Sequence, residues 1–135
     1  MFKLCEGDMR RVVNMLQSLK MVGLNKIIHP IDVYNFTGNP PPETLQNYLN
    51  LLFHSKLKDA LTTLEIELKE NGISMQTFVK ELYPLIMEIK MTESQKIYIV
   101  ERLAEIEHRI SLGCQERLAL GALVGAFHQI RKTME

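Results

Sequence analysis

Apolar residues return every three or four positions through most of this chain, the spacing that turns one side of an α-helix toward a core. Between residues 8 and 21, Met9, Val12, Val13, Leu16 and Leu19 form such a stripe, and Gly23 is placed to end the helix. The stretch 24–38 carries Ile31, Val33, Tyr34 and Phe36, with Pro30 suited to the first turn of a short helix. Thr37-Gly38-Asn39-Pro40-Pro41-Pro42 then breaks the pattern. Consecutive prolines cannot continue a helix and favour a stiff, extended connector, so a domain boundary is expected there, with Pro42 able to open the next helix.

Five further stripes follow. Leu45, Tyr48, Leu49, Leu52 and Phe53 make the first. Leu57, Ala60, Leu61, Leu64 and Leu68 make the second, stopped by Asn71-Gly72. Phe78, Val79, Leu82, Leu85, Ile86 and Ile89 make the third, with Ser74 as its N-cap; Pro84 inside it predicts a kink or a split. The fourth opens at Thr92, with Gln95 at capping-box spacing, and turns Ile97, Val100, Leu103, Ala104 and Ile106 inward. The last runs from about Cys114 to Lys132 and is apolar on more than one side. Such a helix is either the centre of a core or is shared between core and partner. Gly121 and Gly125, one turn apart on it, would let another helix backbone approach closely. No segment alternates as strands joined by hairpins do. The expected fold is all-α, two helices before the prolines and five after, with units at 1–38 and 39–135.

Composition agrees with packed helices: 46% of residues are hydrophobic, only 7% are aromatic, and there is no Trp. The 16 basic and 16 acidic residues cancel, so the surplus of cations that binding to a nucleic-acid backbone requires is absent. The longest apolar run, Leu118 to Phe127, is too short for a membrane span. Cys5 and Cys114 lie far apart and read as free thiols of a reducing compartment. His29, His54, His108 and His128 show no metal-ligand spacing, so no metal site is expected.

Catalytic signatures are missing. There is no phosphate-binding G-x-x-x-x-G-K-[ST] loop, no G-x-G-x-x-G and no G-x-S-x-G. Glu65, Glu67 and Glu70, like Glu101, Glu105 and Glu107, read as solvated helix faces rather than paired acids. One local rule is broken, at Glu6-Gly7-Asp8-Met9-Arg10-Arg11. Asp8 is a good N-cap, yet two arginines follow in the first turn, against the positive end of the helix dipole. The residues alone leave two readings open: phosphate contact by guanidinium and free N–H groups, or two solvated arginines on an exposed helix end.

Three runs of residues carry a family resemblance. Cys5-Glu6-Gly7-Asp8-Met9-Arg10-Arg11-Val12-Val13-Asn14-Met15-Leu16-Gln17 resembles the sensor-2 helix of replication factor C small subunits, AAA+ ATPases of the sliding-clamp loader. Val33-Tyr34-Asn35-Phe36-Thr37-Gly38-Asn39-Pro40 resembles the family's junction between helical lid and collar. Ile106-Glu107-His108-Arg109-Ile110-Ser111-Leu112-Gly113-Cys114-Gln115-Glu116-Arg117-Leu118-Ala119-Leu120 resembles a run in its collar. The latter two look most like the small-subunit type numbered three in yeast and five in human.

The resemblance implies a lid remnant at 1–38 carrying the sensor-2 helix and an oligomerisation collar at 39–135. It implies that Arg10 reaches a bound nucleotide's phosphates, that Gly7 allows close backbone approach and that Asp8 caps the helix. Arg109, Ser111 and Glu116 would hold the turn into the last helix. They and Leu120, Leu123, Val124 and Phe127 would serve the collar, packed beside other clamp-loader subunits. ATP and Mg²⁺ would belong to the full-length protein, together with its Walker motifs, and the segment itself would hold no cofactor and catalyse nothing. Sliding clamp and primer–template DNA would be met only through upstream parts, in the nucleus. The reading from another class is a free-standing helical adaptor that binds partner helices.

Overall fold

The computed structural model describes residues 7–21 and 29–134. They form seven helices: α1 (Met9–Met21), α2 (Pro30–Thr37), α3 (Pro42–His54), α4 (Leu57–Glu70), α5 (Met75–Glu88), α6 (Glu93–Ser111) and α7 (Glu116–Met134). Among the described residues there is no strand, and the fold is all-α as the hydrophobic period predicts. The chain divides into two compact units, Met1–Pro41 and Pro42–Glu135, the division falling inside the proline run. Gly23, the expected stop of α1, and Cys5 lie outside the described residues.

In the first unit, Asp8 precedes α1, and the His29 N–H donates to Asp32 Oδ2 at 2.8 Å to start α2, with Pro30 at its first position. Gly38 ends α2 in the left-handed region, φ +68°. Leu19 and Val33 are buried, whereas Met9, Val13 and Leu16 of the α1 stripe stay exposed.

The second unit is built around α7, which packs against α3, α4, α5 and α6. Its buried residues, Ala119, Leu120, Leu123, Val124, Ala126, Phe127 and Ile130, fill one broad face, and Leu118, Ala122 and Gln129 are exposed on the other. Phe127 meets Phe53 edge to face, ring centres 5.1 Å apart, and Tyr48 meets Phe78 in the same way at 5.6 Å. Arg131 Nη1 donates to the Ser55 carbonyl at 2.9 Å and more distantly to that of Phe53, so the end of α7 covers the carbonyls left open where α3 stops.

Two turns use one device. After α4, Gly72 (φ +63°) lets the Ile73 N–H return to the Leu68 carbonyl at 2.9 Å and its own N–H to Lys69 at 3.2 Å. After α6, Gly113 (φ +88°) does the same, with Cys114 donating to Arg109 and Gly113 to Ile110, both at 3.0 Å. In each, two orphan carbonyls are satisfied by a reversal only glycine takes without strain. Ser74 caps α5 by accepting the Thr77 N–H at 3.2 Å, and Gln95 Oε1 accepts the Thr92 N–H at 3.2 Å.

The structure corrects the expected inward faces in three places. Ile97 is 67% exposed and Ala104 also faces out; the inward stripe of α6 is Ile99, Leu103 and Ile106. The run Ile97-Tyr98-Ile99-Val100 offers apolar surface on every side, and only the phase set by packing on α5 and α7 chooses among them. Leu57, at the first position of α4, is exposed because it precedes the turn at which α4 meets the core. Pro84 does not split α5, which runs unbroken to Glu88 with the proline on the outside.

Two outcomes follow. Phe127→Ala empties a fully enclosed site and should cost about 3–5 kcal/mol in urea denaturation, while Leu118→Ala, on the exposed side of the same helix, should stay within about 0.5 kcal/mol. Burial also pushes the Tyr48 hydroxyl above its ordinary 10.0, with the Asn71 hydrogen bond opposing and Glu67 adding. The folded state then holds that proton more tightly than the unfolded chain, so stability is intact below pH 10.0 and falls as pH rises beyond it. Tyr48→Phe should flatten that alkaline loss in a series of melting curves.

Candidate functional site

The first candidate is the start of α1. Gly7 takes φ +82° with open space where a Cβ would stand, so backbone conformation, not crowding, calls for glycine. Asp8 Oδ1 accepts the Arg10 N–H at 2.9 Å, and the Asp8 carbonyl accepts the Val12 N–H at 3.2 Å. Asp8 thus satisfies a free donor of the first turn and partly offsets the two arginines beside the positive end of the dipole. Arg10 and Arg11 are both exposed, and among the described residues neither enters an ion pair. A capped helix start presenting two exposed guanidinium groups is chemically suited to a polyanion.

The second candidate is the α6–α7 hairpin. The Arg109 carbonyl accepts the Cys114 N–H, and its guanidinium pairs with Glu105. The Ser111 hydroxyl donates to the His108 carbonyl at 2.6 Å, closing the last turn of α6. Glu116 Oε1 accepts the Met75 N–H at 3.4 Å, tying the start of α7 to the start of α5. These three residues sit at the surface around the turn. Leu120, Leu123, Val124 and Phe127 do not: each is buried in the core of this unit. They lie on the side of α7 that packs against the other four helices, and almost none of their area is left accessible. What α7 turns outward instead is Leu118, Ala122, half-buried Gly125 and Gln129.

A surface stripe on α6 escaped the sequence reading. Glu105 pairs with both Arg102, at 2.6 Å, and Arg109, so it is not a solvated carboxylate. The Arg102 guanidinium also stands 5.3 Å over the Tyr98 ring. The available signal was the spacing of Tyr98, Arg102, Glu105 and Arg109, which recur on one helical face just as a core stripe does.

Near the start of α7 a recess of about 610 Å³ lies between α4, the α4–α5 turn and α7. Glu65 stands at its edge, hydrogen-bonded by Lys69 at 3.1 Å and 3.5 Å from Arg117. The Lys69 hydrogen bond, with Arg117 assisting, holds its carboxyl below the usual range. Among the described residues, no three His, Cys, Asp or Glu side chains gather as a metal site would require, and no helix is long and apolar enough to cross a membrane. Cys114 is a half-buried free thiol.

Comparison with known proteins fits this architecture. Residues 40–126 match the family described as Replication factor C C-terminal domain. The chain is 31% identical to replication factor C subunit 5 of Arabidopsis thaliana, over 96% of this chain and 37% of that protein. It is 29% identical to replication factor C subunit 3 of Schizosaccharomyces pombe, over 92% and 36% respectively. Against replication factor C subunit 5 of Homo sapiens the identity is 30%, over 95% and 37%. With the family match covering more than half of its residues, the chain belongs to the replication factor C family. It spans a little over one third of the length of the relatives it matches.

The cap at Asp8 can be tested alone. Asp8→Ala should cost α1 about 1 kcal/mol, read as roughly fivefold faster hydrogen exchange at the Arg10 and Val12 amides, with the amides of α7 unchanged.

Proposed function

We propose that this chain is the C-terminal region of a sliding-clamp loader small subunit. In this reading its first unit is the remnant of an AAA+ helical lid, and its second is the collar that joins neighbouring subunits. The observation that carries it is the match to replication factor C subunits along nearly the whole chain, through both units, while reaching only a little over one third of those proteins. The ATP site, its Mg²⁺ and the contacts with clamp and DNA then belong to upstream parts of the full-length protein. The segment is an assembly element and not a catalyst.

Arg10 takes the sensor-2 role in this reading. Its support is local: an exposed guanidinium one turn into a helix whose start is opened by Gly7 and capped by Asp8. A phosphate between Arg10 and an upstream nucleotide site would tie the angle of the lid to the presence of ATP. The surface residues Arg109, Ser111 and Glu116 act by fixing the α6–α7 turn, so that the outer faces of both helices meet a neighbour at a set angle.

In the full-length subunit, Arg10→Ala should lower ATP-dependent clamp loading by about tenfold or more while leaving subunit assembly intact. A variant that loads clamps as the wild type does would remove Arg10 from the site. The collar reading is checked separately: the unit from Pro42 onward, in the full-length chain, should be required for co-purification with the other subunits. Retention of the partners after its deletion would sink that assignment.

A further inference from the structure

Three features converge on the groove between α6 and α7. The first is glycine within a helix. Apart from proline, glycine is the poorest helix former, yet α7 carries Gly121 and Gly125 one turn apart. A Cβ added at either would meet nothing within 4 Å. Internal packing therefore does not demand the glycines. Gly125 and Ala122 line the α7 side of the groove, about 480 Å³ in volume.

The second is charge. The lining of the groove holds two guanidinium groups, Arg102 and Arg109, and one carboxylate, Glu105, which pairs with both; Glu101, outside the lining, adds a smaller contribution at Arg102. The third is the manner in which Arg102 is held. Its Nε is closed off from water and, among the described residues, is the one buried side-chain nitrogen or oxygen without a hydrogen-bond partner. The rest of the side chain remains 42% exposed at the groove. An unsatisfied group of this kind needs a reason, and holding the rest of the guanidinium at the groove supplies one.

We infer that this groove seats a helix of a neighbouring subunit that presents an Asp or Glu to Arg102 and Arg109. The inference rests on the assembly reading above and names the surface and the partner's chemistry. A helix fits because the floor is small: at Ala122 and Gly125 nothing larger than a methyl group holds an approaching backbone away. The Tyr98 hydroxyl, donating to Gln129 Oε1 at 2.8 Å, bridges the helices at one end and keeps the two walls at a fixed separation. The occupant carries acid because the lining holds two guanidinium groups and one carboxylate. A second copy of this chain is the poorer match, since a two-fold contact through the groove would set the same arginines against each other.

The test uses the complete subunit mixed with its partner subunits, with affinity read by titration and stability by thermal melting. Gly125→Ala should raise the melting temperature by about 4 °C, because the helix gains and nothing clashes. Gly125→Leu, which fills the groove, should weaken assembly by about tenfold or more while the subunit stays folded. Arg102→Gln with Arg109→Gln should weaken assembly to a similar degree and flatten its dependence on salt. Stability and assembly moving in opposite directions at one position is the expected signature. Wild-type assembly by both Gly125→Leu and the double arginine variant overturns this inference and leaves the assembly reading standing. A wild-type subunit indifferent to its partners overturns both. Self-association that Gly125→Leu abolishes, without any effect on partner binding, assigns the groove to a second copy and overturns the occupant named here.

Discussion

The second unit depends on burying the broad apolar face of α7. All four other helices of the unit, α3, α4, α5 and α6, pack against α7. The rest of the unit follows from that requirement. The Schellman turns at Gly72 and Gly113 reverse the chain within a few residues, so that successive helices reach α7 from different sides. Aromatic rings from α3 and α5 meet edge to face in the space left between them, and Arg131 fastens the open end of α3 to the far end of α7.

Much of this was legible along the chain. Helix number, the proline break and several caps follow from period and from residues with one conformational use, such as Pro42 at the start of α3 and Ser74 before α5. Phase within a crowded helix was not legible. At Ile97-Tyr98-Ile99-Val100 every face offers an apolar candidate, and only contact with neighbouring helices selects Ile99. The same limit hides which side of α7 faces outward. Leu120, Leu123, Val124 and Phe127 are the conspicuous apolar residues of α7, and the bundle buries them. What remains outside is plainer: a small floor, a tyrosine and two arginines around one glutamate.

The start of α1 shows the opposite relation. Its backbone and cap could be drawn from five residues, Gly7 to Arg11, since each acts through the nearest turn. Its chemistry could not, because a guanidinium exposed on one helix has no meaning until the anion opposite it is known. In the function proposed above, that anion is a nucleotide phosphate. Local physics contributes the poise: a helix start already capped by Asp8, leaving Arg10 unspent.

The central helix of the second unit is also the last to be made. During synthesis α3 to α6 emerge before the helix on which all of them pack. They can pair among themselves, as Tyr48 does with Phe78, but the part of each inward stripe that faces α7 has no native cover until α7 follows. Apolar surface left open in that interval is the kind that makes an incomplete bundle prone to aggregate.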